Sequence, residues 1–173
     1  MDLSEINFAV LVASLIVAST PLVLAALGEL IAEKSGVLNL GVEGMMIIGA
    51  VSGFIVGVET GSAYVGIIAA AVAGALLSLL FSFIILIMQA NQVASGLALT
   101  IFGLGIAALM GHPYTGIKSP QISTISIPIL NEIPILGTMF FQHDLIVYLS
   151  LISVLTVWYF LTRTRAGLIL RSV

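Results

Sequence analysis

This sequence predicts an all-α, polytopic membrane protein, and three observations predict it. Hydrophobic residues make up 60% of the 173-residue chain and charged residues only 8%, where a soluble domain carries about a quarter. Mean hydropathy is +1.26. Uncharged runs cover 6–28, 44–58, 60–117 and 145–162. The third run is long enough to cross a bilayer twice, at about 20 apolar residues per helical crossing. Its apolar positions are continuous, not alternating as in a transmembrane barrel.

The runs resolve into apolar segments near 6–27, 40–58, 63–88, 93–110 and 145–161, about five transmembrane or re-entrant elements in all. The first begins behind Asp2 and Glu5. A secretory signal begins with a basic region, so this segment is read as a retained span. At its end Glu29 and Glu33 fall four apart on one helix face beside Lys34. Charges are expected there at the water boundary; the alternative is a carboxylate pair for acid–base work or cation binding.

The stretch 33–44, EKSGVLNLGVEG, follows with two carboxylates, a lysine, an asparagine and three glycines between two apolar segments. A carboxylate inside a span costs about 2.5 kcal/mol or more at the centre, so Asn39 and Glu43 are expected to face a protein-lined or watery interior. Glycines 36, 41 and 44 loosen the backbone, and non-helical backbone is tolerated at depth only under protein or water. Polarity with loosened backbone suits a discontinuous segment lining an aqueous route.

The next two spans carry small residues every fourth position: Gly49, Gly53 and Gly57, then Gly66, Ala70, Gly74, Ser78 and Ser82. That spacing makes a flat helix face for close helix–helix packing, and implies no function by itself. NQVASGLALT, residues 91–100, makes a second polar interruption through Asn91, Gln92, Ser95 and Gly96. Two readings stand for it. Its amides and hydroxyls, with Thr100, grip a neutral polar solute, or it is a short cytoplasmic turn whose Asn91 caps the next helix.

Residues 111–144 hold four of the chain's five prolines, and IPIL occurs twice, at 127–130 and 133–136. Proline cannot donate to a helix or a ladder and biases its predecessor to extended geometry. The segment is read as one proline-rich extracytoplasmic loop with short extended or amphipathic pieces. After the last span come Arg163, Arg165 and Arg171, with Trp158 and Tyr159 just before them. Basic residues at a span end mark the cytoplasmic side and aromatics the headgroup level. The end of the chain is therefore read as cytoplasmic; five crossings would place the N-terminus outside, whereas one re-entrant segment among the five would place it inside.

Several chemistries are excluded. The chain has no cysteine, hence no disulfide, thiolate metal site or cysteine nucleophile. His112 and the pair His143–Asp144 lie in or beside the loop without a third ligand, so no metal is expected. No G-x-x-x-x-G-K-[ST] loop is present, and no serine has a histidine and an acid at hand. A basic nucleic-acid footprint is absent, and no cofactor is implied.

The stretch TPLVLAALGELIAEKSGVLNLGVEGMMIIGA, residues 20–50, resembles the inner-membrane permeases of bacterial ABC importers for nucleosides and simple sugars. These are relatives of the ribose and branched-chain amino acid permeases. ANQVASGLALTIFGLGIAALMG (90–111), IPILGTMFF (133–141) and RTRAGLILRSV (163–173) resemble it too, in family order over nearly the whole chain. The first two matches are the specific ones. In that family the last stretch leads into a glycine–glutamate pair, a cytoplasmic coupling helix and a second set of spans, so the sequence resembles an N-terminal half.

The resemblance implies a transmembrane permease domain over 1–173, its extracytoplasmic loop at 111–144 and a cytoplasmic segment at 162–173 leading to the ATPase-coupling region. It implies a multi-pass, non-enzymatic subunit of the bacterial inner membrane that moves a nucleoside-like or simple-sugar solute. Its partners would be an ABC ATP-binding subunit, a second permease subunit and an extracytoplasmic substrate-binding lipoprotein. Asn39, Glu43, Gln92, Ser95 and Thr100 are the candidates for the translocation route. Arg163, Arg165 and Arg171 belong to the coupling region, and Gly49, Gly53, Gly57, Gly66 and Gly74 to helix packing. The rival classes are a membrane enzyme using Glu29, Glu33 or Glu43, and an assembly subunit that only packs against a larger protein.

Overall fold

The computed structural model describes residues 8–122, 124–126 and 142–172. Five helices among them are long and apolar enough to cross a membrane, and the only sheet described is a two-stranded ladder. The fold is all-α and polytopic.

Helix α1 runs Phe8–Lys34, well past residue 27, where the apolar segment was expected to stop. Leu, Ala, Glu and Lys are good helix formers whatever their polarity, so the helix continues through Glu29 and Glu33 after the hydrophobic run has ended. A glycine stops it. Gly36 takes φ +80°, Val37 N donates to Ala32 O at 3.1 Å and Gly36 N to Glu33 O at 3.0 Å. This is the paired closure of a Schellman motif, which satisfies the last carbonyls of a helix.

Helix α2 spans Val42–Thr60 and turns at Gly61, φ +66°, into α3, Ala63–Ser82. Helix α3 continues through a π turn at Phe83–Ile87. Helix α4 covers Gln92–Gly111, followed by a 3-10 turn at His112–Tyr114. Of the two readings of residues 91–100, the cap is observed: the Asn91 side chain accepts from Ala94 N at 3.0 Å.

The chain divides into two compact units, Ile31–Gln121 and Met1–Leu30 with Ile122–Val173. In the first, α2 lies between α3 and α4 and packs most extensively on α3. Met45, Phe81, Ile85 and Leu99 form its core, with Val37 and Leu77 against them. Large side chains such as Ile68, Leu76, Leu79, Ile101 and Leu109 point outward, as expected where lipid is as apolar as the interior.

In the second unit, β1 (Thr124–Ser126) pairs antiparallel with β2 (Gln142–Asp144), placing Ile125 opposite His143. His143 is buried, and its ring meets Tyr148 edge-on at 6.4 Å. Helix α5, Leu145–Arg163, is followed by α6, Arg165–Ser172. The expected loop at 111–144 thus holds short extended pieces at 124–126 and 142–144. Both IPIL repeats, and the IPILGTMFF stretch with them, lie outside the described residues.

Candidate functional site: a non-helical segment clamped on α4

Between α1 and α2 the backbone of residues 35–41 is not helical. Its amides and carbonyls need partners, since an unsatisfied backbone group in an apolar setting costs several kcal/mol. Side chains supply several. Leu38 N donates to Gln92 Oε1 at 2.7 Å. Thr100 Oγ1 donates to Leu40 O at 2.9 Å. Gly41 N donates to Asn39 Oδ1 at 3.0 Å, a local turn of the type asparagine favours. The Asn39 amide also reaches Met45 Sδ at 3.7 Å.

Glycines bring the backbones close enough for this. A Cβ on Gly96 would stand 2.9 Å from Leu40 N and 3.0 Å from Gly41 N. One on Gly44 would stand 2.7 Å from Leu99 O, and one on Gly103 2.7 Å from Gly44 Cα. Gly44 was expected to loosen the break; it instead lies inside α2 and forms its crossing point with α4. Gln92, Gly96, Leu99, Thr100 and Gly103 recur at helical spacing on one face of α4. From Gln92 to Thr100 that face extends about 12 Å along the axis, at about 1.5 Å per residue.

The structure therefore brings Asn39, Gln92 and Thr100 together around one segment. Glu43 is exposed on the first turn of α2, and Ser95 is half-buried on α4. On the other side of α2, a Cβ on Gly53 would meet Gly66 O and Ala70 Cβ at 2.8 Å, and one on Gly66 would meet Gly53 O at 2.6 Å. A Cβ on Gly49 would stand 3.2 Å from Ala70 O, and one on Gly57 3.7 Å from Gly66 Cα. Gly74 differs, with only Met45 O at 3.9 Å. At the C-terminal ends of α2 and α4, Tyr114 Oη donates to Glu59 Oε1 at 2.7 Å.

Arg163, Arg165 and Arg171 are exposed around the α5–α6 elbow. Thr164 makes the elbow in extended backbone, φ −104° and ψ 154°. Its hydroxyl donates to Phe160 O at 2.6 Å and accepts from Gly167 N at 3.0 Å. Gly167 packs on Phe160 O and Leu161, leaving no room for a side chain. Among the described residues no group of three or more His, Cys, Asp or Glu is placed to hold a metal.

Sequence reasoning missed Gly96, Gly103 and Gly167 as contact points, together with the Gln92 and Thr100 bonds to backbone. The seven-residue interval from Gly96 to Gly103 was the available signal, because it returns to the same helix face after two turns.

The family described as branched-chain amino acid transport system / permease component matches residues 11–173. A putative glucose ABC transporter permease of Haloferax volcanii is 39% identical over 155 residues, 87% of this chain and 47% of that protein. A guanosine ABC transporter permease of Bacillus subtilis is 36% identical over 188 residues, 100% of this chain and 58% of that one. A nucleoside ABC transporter permease of Lactococcus lactis is 33% identical over 175 residues, 95% and 55% of the respective chains. The chain spans about half the length of these curated relatives. No solved structure matches it.

Proposed function

Because the chain belongs to the family of branched-chain amino acid transport system permease components, a family of multi-pass inner-membrane proteins, we propose that it is a permease subunit of an ATP-driven importer. It moves a nucleoside-like or simple-sugar solute, supported by relatives named for glucose, guanosine and nucleosides. An ABC ATP-binding subunit drives it, an extracytoplasmic lipoprotein delivers the solute, and a second permease subunit completes the pathway. The observation that carries this reading is a polar, non-helical segment held against α4 among apolar spans. Such backbone is tolerated at membrane depth where protein covers it or where it lines a cavity, as in discontinuous transporter segments.

The exposed Glu43 and half-buried Ser95 face the route, with Asn39, Gln92 and Thr100 in its wall. Residues 111–144 lie outside the membrane, and 162–173 lie on the cytoplasmic side facing the ATPase. The Tyr114–Glu59 bond joins the C-terminal ends of α2 and α4, so their N-terminal ends, and the 35–41 segment, fall in the cytoplasmic half.

Two experiments test this. In the full-length permease assembled with its partners, Glu43→Leu abolishes uptake at normal abundance of the complex, and Glu43→Gln is milder for a neutral solute. Loss of abundance alone in both variants would make Glu43 a packing residue; unchanged uptake would remove it from the route. For orientation, single cysteines at Ser119 and Ser172 in this cysteine-free chain report sidedness. A membrane-impermeant thiol reagent applied to intact cells labels position 119 and spares 172, and the reverse pattern refutes the topology.

A further inference from the structure

Most of the helical hydroxyls that hydrogen-bond among the described residues follow one habit. Thr20 donates to Ile16 O, Thr60 to Val56 O, Ser153 to Leu149 O, Thr156 to Ile152 O and Thr162 to Trp158 O. Each bonds a carbonyl of its own helix one turn back, as serine and threonine do when nothing better is near. Thr100 breaks the habit. Its hydroxyl leaves α4 and donates to Leu40 O, sixty residues away in sequence. Two turns earlier on the same face, Gln92 sends its carboxamide oxygen to Leu38 N, fifty-four residues away.

We infer that Gln92 and Thr100 are positioning residues, whose hydrogen bonds to Leu38 N–H and Leu40 C=O fix the non-helical backbone between α1 and α2 on α4, and that this, not a grip on solute, is their part in transport. The inference rests on the importer reading. Three observations carry it. The Thr100 hydroxyl proton and the Gln92 carboxamide oxygen are already committed to backbone. Gly96 lies between the two and lets the backbones meet without a side chain. Val37, near the start of the segment, is packed on the Met45–Leu99 core, so that end of the segment is seated as well. A non-helical backbone held at two points from one rigid helix has a defined position. Freed from either point, its polar groups must find water or other partners.

The test is made in the full-length permease with its partner subunits, reconstituted in vesicles that expose the cytoplasmic face. A single cysteine replaces Leu38, and its modification rate by a soluble thiol reagent reports how firmly the segment is held. Thr100→Val removes the donor at nearly constant shape; Thr100→Ser keeps it. The expected result is a modification rate about fivefold higher with Thr100→Val, the scale of one lost hydrogen bond, and a return towards the parent rate with Thr100→Ser. Uptake with Thr100→Val then loses kcat at constant KM, because no solute contact has been removed.

A raised KM with an unchanged modification rate would overturn the inference and make Thr100 a solute ligand. Equal effects of Val and Ser, or no effect of either, would overturn it as well. If Thr100→Val does not accumulate, Gln92→Met against Gln92→Glu, which keeps an acceptor oxygen, makes the same comparison at the other end of the clamp. The modification rate does not need a transported solute. A parent complex that moves no sugar or nucleoside therefore refutes the importer reading, while the rates still decide the clamp.

Discussion

Helix α2 has two packed faces, and they are built differently. Towards α3 it offers Gly49, Gly53 and Gly57 to Gly66 and Ala70, and no side-chain hydrogen bond joins the two helices among those described. Towards α4 it offers Gly44 to Leu99, Thr100 and Gly103, and the segment just before α2 adds the Gln92 and Thr100 bonds. Both faces use glycine for the same reason: without a hydrophobic drive between helices in lipid, backbone proximity supplies the dispersion and weak polar contacts. The α4 face borders the 35–41 segment, and among the described residues the side-chain clamps lie on that face. Polar side chains have been placed where helical hydrogen bonding fails.

The largest effect comes from filling either face. Gly66→Leu and Gly103→Leu each place a side chain on backbone that a Cβ alone would approach within 2.6 and 2.7 Å, so each should prevent accumulation of the detergent-extracted complex. Gly74→Leu, where a Cβ would meet only Met45 O at 3.9 Å, should leave stability within about 0.5 kcal/mol of the parent and the yield nearly unchanged. Equal losses at Gly66, Gly103 and Gly74 would break the comparison, because the faces would then not be distinguished by proximity.

A smaller change separates the faces from one another. In Gly44→Ala the new methyl meets backbone at 2.7 Å; in Gly49→Ala it meets Ala70 O at 3.2 Å. Overpacking of this kind costs about 1–3 kcal/mol, and Gly44→Ala should sit at the upper end and lower the midpoint of thermal unfolding in detergent more than Gly49→Ala. Next comes Gly36→Ala, at the stop of α1. The left-handed backbone there, φ +80°, costs an alanine about 1 kcal/mol, with nothing within 4 Å to collide with. Gly36→Asn, which tolerates that conformation, should recover much of the loss. The smallest effect is expected from Tyr114→Phe. It removes an exposed hydrogen bond to Glu59, and its unfolding midpoint should stay closest to the parent of all these variants. A large drop would mean that the C-terminal ends of α2 and α4 depend on that bond as the N-terminal ends depend on Thr100.

The fold class and the five long apolar helices were legible in the sequence alone. Hydropathy needs no partner to act: twenty apolar residues in lipid must close their own hydrogen bonds, and a helix does so within the segment. The glycines of 33–44 were legible as loosened backbone, but that Gly36 closes α1 in a left-handed cap was not. Good helix formers carried the helix past the end of the hydrophobic run to Lys34. The packing spacing was visible on α2 and α3, yet nothing local distinguishes Gly53, pressed on Gly66, from Gly74, which is nearly free. Spacing fixes which residues share a face, whereas the crossing point of two helices fixes which of them touch.

The polar residues divide in the same way. That a break falls within 33–44 was written in its glycines and its asparagine; that it covers only 35–41 was not. That Gln92 and Thr100 turn to the backbone of Leu38 and Leu40, while Glu43 and Ser95 do not share that contact, was decided by tertiary structure. A side chain's polarity states only that it needs a partner; which group answers depends on what the rest of the chain brings within about 3 Å.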